Sequence, residues 1–144
     1  SGDGCSATCG VEGATPLPAA GTTTILTGDL AATDPTFTRP ASDCTSGGNT
    51  VHYDTFTLEN TGTAIKVVDV TMSGLGDTYL VAYDAPFSPA APTDRCILGD
   101  DDFGARHSRL LRLSIAPGEQ IVIVATEFDN GTSLGGYDLL VTTE

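Results

Sequence analysis

The sequence predicts an all-β protein, an antiparallel β-sandwich of about eight strands, and three observations carry that prediction. No apolar stripe recurs at helical spacing over any long stretch. Residues of high strand preference, chiefly Thr, Val, Ile, Tyr and Phe, gather instead in short alternating runs. Between the runs stand turn formers such as Asn60-Thr61-Gly62, Pro117-Gly118 and Asp129-Asn130-Gly131. Such spacing is that of two packed antiparallel sheets.

Taken in order, residues 1–21 hold small residues, Pro16, Pro18 and the pair Cys5 and Cys9, without apolar periodicity, and read as an N-terminal arm. Residues 22–144 read as a single domain. A first strand is expected over Thr22–Leu30, bounded by Gly21. Residues 31–50, with Pro35, Pro40, Cys44, Gly47 and Gly48, read as a loop long enough to be pinned, mobile or functional. Val51–Glu59 alternates so that His52, Asp54, Phe56 and Leu58 share a face. Ala64–Ser73 follows, with Lys66, Val68, Val70 and Met72 on one side, and then Asp77–Asp84. Pro86, Pro89 and Pro92 make a connection that cannot donate to a ladder. Beyond an acidic stretch at Cys96–Gly104 come strands over Ser108–Ala116, Gln120–Asp129 and Gly136–Thr143, the first with Leu111, Leu113 and Ile115 in alternation.

A chain of 144 residues is long enough to bury a core of its own. Nineteen acidic against six basic residues, a net charge of −13, disfavour nucleic acid and anionic membranes, both of which require a cationic face. No apolar run reaches the length of a membrane span. Four cysteines without a C-x2-C pair point to disulfides and an oxidising compartment. Of three connectivities, Cys5–Cys9 with Cys44–Cys96 is favoured, the alternative for Cys5 or Cys9 being a bridge to another chain. A bond closing the Cys44–Cys96 interval stabilises by about 4 kcal/mol in the chain-entropy account. The absence of a signal peptide makes Ser1 the expected start of a processed, secreted product.

The concentrated chemistry lies at Asp100-Asp101-Asp102. Three adjacent carboxylates repel unless a cation sits among them, and hard oxygen donors suit calcium. Alternation lets Asp100 and Asp102 address one ion, with Asp101 facing away or offering its carbonyl. Because calcium takes roughly six to eight oxygens, Asp77 and Asp84 are the expected further ligands. The competing reading is a solvated acidic turn, and the run does not fit the helix-loop-helix calcium pattern.

Other chemistry is weak. Gly131-Thr132-Ser133-Leu134-Gly135 matches G-x-S-x-G, yet it lies between two strands and reads as a hairpin turn. His107 and Ser108 are neighbours in a strand and face opposite ways, so adjacency makes no triad. Glu59 and Glu127 are expected to be solvated strand-end carboxylates rather than a glycosidase pair. Asn130-Gly131-Thr132 is a glycosylation sequon as well as a turn. Tyr53, Tyr79, Tyr83 and Tyr137 are candidate sugar-stacking residues, though alternating tyrosines are more often packing.

Thr27-Gly28 to Leu30, Asp34-Pro35-Thr36, Arg39-Pro40, Cys44, Tyr53-Asp54 with Phe56, Asp77-Thr78 with Tyr83-Asp84, Phe87 with Pro89, Cys96, Gly99 to Asp102 and Gly136-Tyr137 form an ordered pattern over about residues 22–144. It resembles the bacterial pre-peptidase C-terminal domain family. The resemblance implies a jelly-roll-like sandwich that is extracellular, not catalytic, in several members calcium-bound, and commonly appended to secreted proteases and other enzymes. Two functions are therefore expected, neither enzymatic. One is a calcium-stabilised structural subunit that assembles with copies of itself into a fibre or filament through its arm or first strand. The other is an accessory module that targets a secreted hydrolase to a glycan or collagen-like polymer. The first is preferred because no enzyme accompanies the domain in this sequence.

Overall fold

Two strands are buried on both faces, and the rest of the fold follows from covering them. They are β6 (Thr78–Asp84) and β9 (Gln120–Glu127), whose near-continuous apolar runs Leu80-Val81-Ala82 and Ile121-Val122-Ile123-Val124 have no solvent side. The computed structural model describes residues 14–74, 76–101 and 107–144. In chain order the other strands are β1 (Ala14–Pro16), β2 (Thr23–Leu30), β3 (Thr36–Thr38), β4 (Thr50–Glu59), β5 (Lys66–Gly74), β7 (Cys96–Asp100), β8 (His107–Ile115) and β10 (Gly135–Thr143). One sheet runs β1-β4-β9-β6-β7 with β3 also on β4, and the other runs β2-β10-β5-β8. Every pairing is antiparallel except β1 on β4. The all-β sandwich is as the alternation predicts.

Alternation divides the side chains of the larger sheet between two cores. Leu58, Leu80, Ala82, Ile121, Ile123 and Ala125 point inward to meet Val68, Val70, Met72, Leu110, Leu113, Leu139 and Val141 of the smaller sheet. Val51, Tyr79, Val81, Tyr83, Val122 and Val124 point outward and form a second core with Phe37, Tyr53 and Phe87. Two connections cover that outer core. Residues 31–49 are tied down where Tyr79 donates to the Pro40 carbonyl at 3.2 Å and the Gly99 N–H to the Ser42 carbonyl at 3.0 Å. Residues 85–95 are tied where Tyr83 donates to the Pro92 carbonyl at 2.6 Å. The disulfide Cys44–Cys96, with its Cα atoms 5.8 Å apart, joins the first cover to β7. The long expected loop is thus pinned, and β3 is a strand within it.

Several expectations change. Ten strands are present among the described residues rather than about eight, because β1 and β3 are too short to show a period and β7 lies within the acidic stretch. The arm does not extend to residue 21. Ala14–Pro16 pairs in parallel with Thr57–Glu59, Leu17 is buried in the inner core and the Gly21 N–H reaches the Thr143 carbonyl at 2.8 Å. Cys5 and Cys9 lie outside the described residues. In β8 the expected alternation of Leu111 with Leu113 fails at a bulge: Leu111 and Arg112 together face Asp69, between the pairs Val68↔Leu113 and Val70↔Leu110. Arg112 adopts φ 58°, its N–H bonds Asp69 Oδ1 at 2.8 Å, and Leu110 rather than Leu111 turns inward.

Candidate functional site

The acidic run begins at the end of β7, where Asp100 pairs with Leu80 of β6. Asp100 Oδ2 accepts the Arg109 N–H at 2.7 Å and the Asp101 carbonyl accepts the Ser108 hydroxyl at 2.8 Å, so both bind the start of β8. Asp102 lies outside the described residues. From the register, Asp77 stands three residues to one side of Leu80 and Asp84 four to the other, a separation of about 23 Å along the strand. One ion cannot hold both. Asp84 is beside Arg95, at the far end of the sheet from Asp100. The expected five-carboxylate calcium shell is therefore corrected: Asp77 and Asp84 do not complete one site, and among the described residues no three His, Cys, Asp or Glu side chains converge as metal ligands.

Glu127 is not the solvated carboxylate expected. It is fully buried at the inner end of β9, where Oε2 accepts the His52 N–H at 2.9 Å and lies 2.7 Å from His52 Nδ1, while Oε1 accepts the Ser133 N–H at 3.3 Å. Alternation places residues 121, 123, 125 and 127 inward, which is the signal that locates it. Glu59 bonds the Gln120 side chain at 2.6 Å, seven residues back along β9 from Glu127. At about 3.3 Å per residue the two carboxylates are more than 20 Å apart, beyond either glycosidase geometry. Ser133 is buried against Gly74, and its hydroxyl has no hydrogen-bond partner among the described residues. Ser108 is buried too, bonded to Thr78 at 2.8 Å. Neither serine is presented as a nucleophile.

A second acidic group forms where the chain brings distant strands together. Asp54 of β4 faces Tyr137 of β10, whose hydroxyl donates to Asp54 Oδ2 at 2.6 Å. Tyr137 reaches it by lying across Gly28, its cross-strand neighbour, where any Cβ would collide with the ring. Burial raises the Asp54 carboxyl above the usual Asp range; the Tyr137 bond pulls the other way, and the charges of Asp34 and Asp29 add to the rise. Burial and the same carboxylates hold Tyr137 protonated far above its ordinary value. No local motif joins Asp29, Asp34 and Asp54, so only the fold reveals the group.

The tyrosines make no stacking platform. Tyr79, Tyr83 and Tyr137 are buried, and Tyr53 packs edge-on against Phe37 and Phe87 at 5.0 and 5.5 Å. Arg39, also buried, lies 4.1 Å from the Tyr79 ring centre and 4.8 Å from that of Phe128, and donates to the Phe128 carbonyl through Nε at 3.0 Å and Nη2 at 2.8 Å. It anchors the cover rather than a ligand. What the covers leave open is a pair of adjoining clefts on the outer face. One, of about 440 Å³, is lined by Asp84, Arg95, Glu119 and Gln120. The other, of about 310 Å³, is lined by Thr55, Thr57, Phe87 and Gln120. Hydroxyls, an amide, charged groups and one aromatic ring line this groove, an arrangement that offers hydrogen bonds to a polar chain.

No protein-family model and no curated protein sequence matches this chain. Among solved structures it is similar to the pre-peptidase C-terminal domain of a collagenase from Bacillus anthracis, with a TM-score of 0.54 and 16% identity over 91% of this chain and 92% of that one. It is also similar, more loosely, to PliG, a periplasmic inhibitor of g-type lysozyme from Aeromonas hydrophila, with a TM-score of 0.48 and 12% identity over 91% of this chain and 96% of that one. The first likeness supports the pre-peptidase-like sandwich fold.

Proposed function

We propose that this chain is a non-catalytic, secreted accessory module whose open outer-face groove holds a polar extracellular polymer, a glycan in the first instance. The groove between Asp84–Arg95–Glu119 and Thr55–Thr57–Phe87 carries the proposal, because the rest of that face is sealed by the two covers and the disulfide. The disulfide fits an oxidising compartment. Burial of Glu127, Ser108 and Ser133 fits a protein without a catalytic centre. A fold shared with a domain of a collagenase supports the accessory class over the fibre. The test is retention on insoluble chitin, cellulose, peptidoglycan and collagen, with Phe87→Ala and Gln120→Ala as variants. Selective retention on one glycan, reduced in the variants, is expected; failure to bind every polymer would sink the proposal.

Assembly of copies remains the second reading, and one observation favours it. β2 ends its sheet, pairing only with β10 among the described strands, and exposes Ile25. The contact would run through β2 rather than through residues 14–17, which already pair within the sandwich. Light-scattering mass decides it: a monomer at high concentration, with or without calcium, excludes the filament.

A further inference from the structure

The turn between β9 and β10 is not the hairpin expected, since the two strands belong to different sheets; it carries the chain from one sheet to the other, with chemistry that neither reading uses. We propose that Asn130-Gly131 is a site of spontaneous covalent modification in the folded protein, where Asn130 converts through a cyclic imide to aspartate and isoaspartate. The chain holds three asparagines, and their surroundings differ. Asn49 donates its amide to the Phe128 carbonyl at 3.1 Å and is followed by Thr50. Asn60 is fully buried, donates to the carbonyls of Ala64 and Ile115 at 2.8 Å each, and is followed by Thr61. Asn130 is exposed and is followed by glycine.

Imide formation needs the next residue's backbone nitrogen to reach the asparagine side-chain carbon. A following side chain obstructs this approach, and a hydrogen bond from either group holds it back. At this turn both obstacles are missing. Gly131, at φ 82°, has open space where a Cβ would stand. Neither its N–H nor the Asn130 side-chain amide has a hydrogen-bond partner among the described residues. The Asn130 N–H instead donates to Asp129 Oδ1 at 2.8 Å. In the step, the Gly131 nitrogen bonds to Asn130 Cγ, the Cγ–Nδ2 bond breaks and ammonia leaves with the transferred proton. Water then opens the ring at either carbonyl, giving aspartate or isoaspartate.

The product acts on the fold. A new carboxylate appears beside Asp129, and the isoaspartyl form lengthens the main chain by one carbon inside a closed turn. That turn is closed by Thr132 N–H and Oγ1 on the Asp129 carbonyl, at 3.1 and 2.7 Å, and is held to the β5–β6 corner by the Asp77 N–H on the Thr132 carbonyl at 2.9 Å. Either product also removes the Asn130 sugar acceptor.

The experiment ages the purified, folded protein in mildly alkaline buffer and maps peptides by mass spectrometry, with an enzymatic assay for isoaspartate. A gain of one mass unit at Asn130, split between two isomers and absent at Asn49 and Asn60, is expected. Asn130→Gln should abolish both the gain and the isoaspartate signal, and Gly131→Ala should slow them several-fold provided its melting curve shows it folded. Two results would overturn the proposal: an Asn130 that stays intact in the folded protein while a peptide of the same residues converts, or an Asn130 already carrying sugar.

Discussion

Glu127 Oε2 lies within hydrogen-bonding distance of two groups of one residue, the His52 main-chain N–H at 2.9 Å and the His52 ring Nδ1 at 2.7 Å. The carboxylate thereby joins β4 to β9 and, through Ser133, the connection that leads into β10. Removing it leaves buried donors without an acceptor, which costs far more than the net gain of one bond. Glu127→Ala should lower unfolding free energy by about 3 kcal/mol, and Glu127→Gln by less, since its carbonyl oxygen retains part of the pairing. Urea unfolding of the two variants checks this. A loss no larger than that of a surface substitution would show that the pair is dispensable.

The Cys44–Cys96 bond closes an interval of 52 residues and holds a cover over the outer core. In the chain-entropy account a loop of that length is worth about 4 kcal/mol. The double variant Cys44→Ala with Cys96→Ala should lose roughly that amount. Hydrogen exchange should rise first in residues 36–49 and in β7, because those segments rest on the outer core. Uniform loss of protection would mean that cover and sandwich unfold as one unit.

The sandwich was legible because most strands are half-buried, and half-burial writes itself as alternation in Val51–Glu59 and Gly136–Thr143. The outer core was not. Val81, Val122 and Val124 look the same whether a second face meets solvent or a covering loop, and the covers carry little periodicity. β1 and β3 pair with distant residues over three positions each, too few for a pattern. The bulge at Arg112 shifted the phase of β8, so Leu111 read as core and is exposed. At the acidic run the residue types point to a cation, but Asp77 and Asp84 stand at opposite ends of β6, and two residues so placed cannot share an ion. The Asp54 group needed contacts between β4 and β10, which sequence spacing does not supply.

Gly76 marks a close crossing of the two corners that flank the β6 start. A Cβ there would fall on the Thr132 carbonyl, whose oxygen accepts the Asp77 N–H. Both colliding partners are backbone, so rotamer change gives no relief. Gly76→Ala should cost about 2 kcal/mol by overpacking. Thermal melting checks it, and an unchanged midpoint would show that the corner yields freely.

If calcium binds at Asp100–Asp102, it has a direct thermodynamic signature. An ion bound only by the folded state adds about 2.7 kcal/mol at a hundredfold excess over its dissociation constant. Chelation and Asp102→Ala should then each lower the melting temperature, and together no further than either alone. Asp84→Ala should leave the calcium response intact, since Asp84 lies across the sheet from the run. A melting curve indifferent to chelator would discard the ion.

Asp54 sets a pH dependence of known sign. Its carboxyl is raised in the folded protein by burial first, opposed by the Tyr137 bond and reinforced by Asp34 and Asp29. A group that binds its proton more tightly when folded contributes stability that is fully present below its unfolded value, near 3.8, and is lost as pH rises through the raised folded value. Ionised Asp54 is thus a burden at neutral pH. Asp54→Asn keeps an oxygen to accept the Tyr137 hydroxyl and removes the charge, so it should be the more stable protein at pH near neutrality. As pH falls toward the unfolded value the unsubstituted protein should gain on the variant and close the gap. Paired urea titrations across that window read the difference directly, free of the many carboxylates common to both proteins. A gap that does not change with pH would mean that Asp54 is solvated and that its neighbours do not act on it. A gap of opposite sign, with the unsubstituted protein more stable at neutral pH and losing its lead on chelation, would instead place a bound cation among Asp29, Asp34 and Asp54.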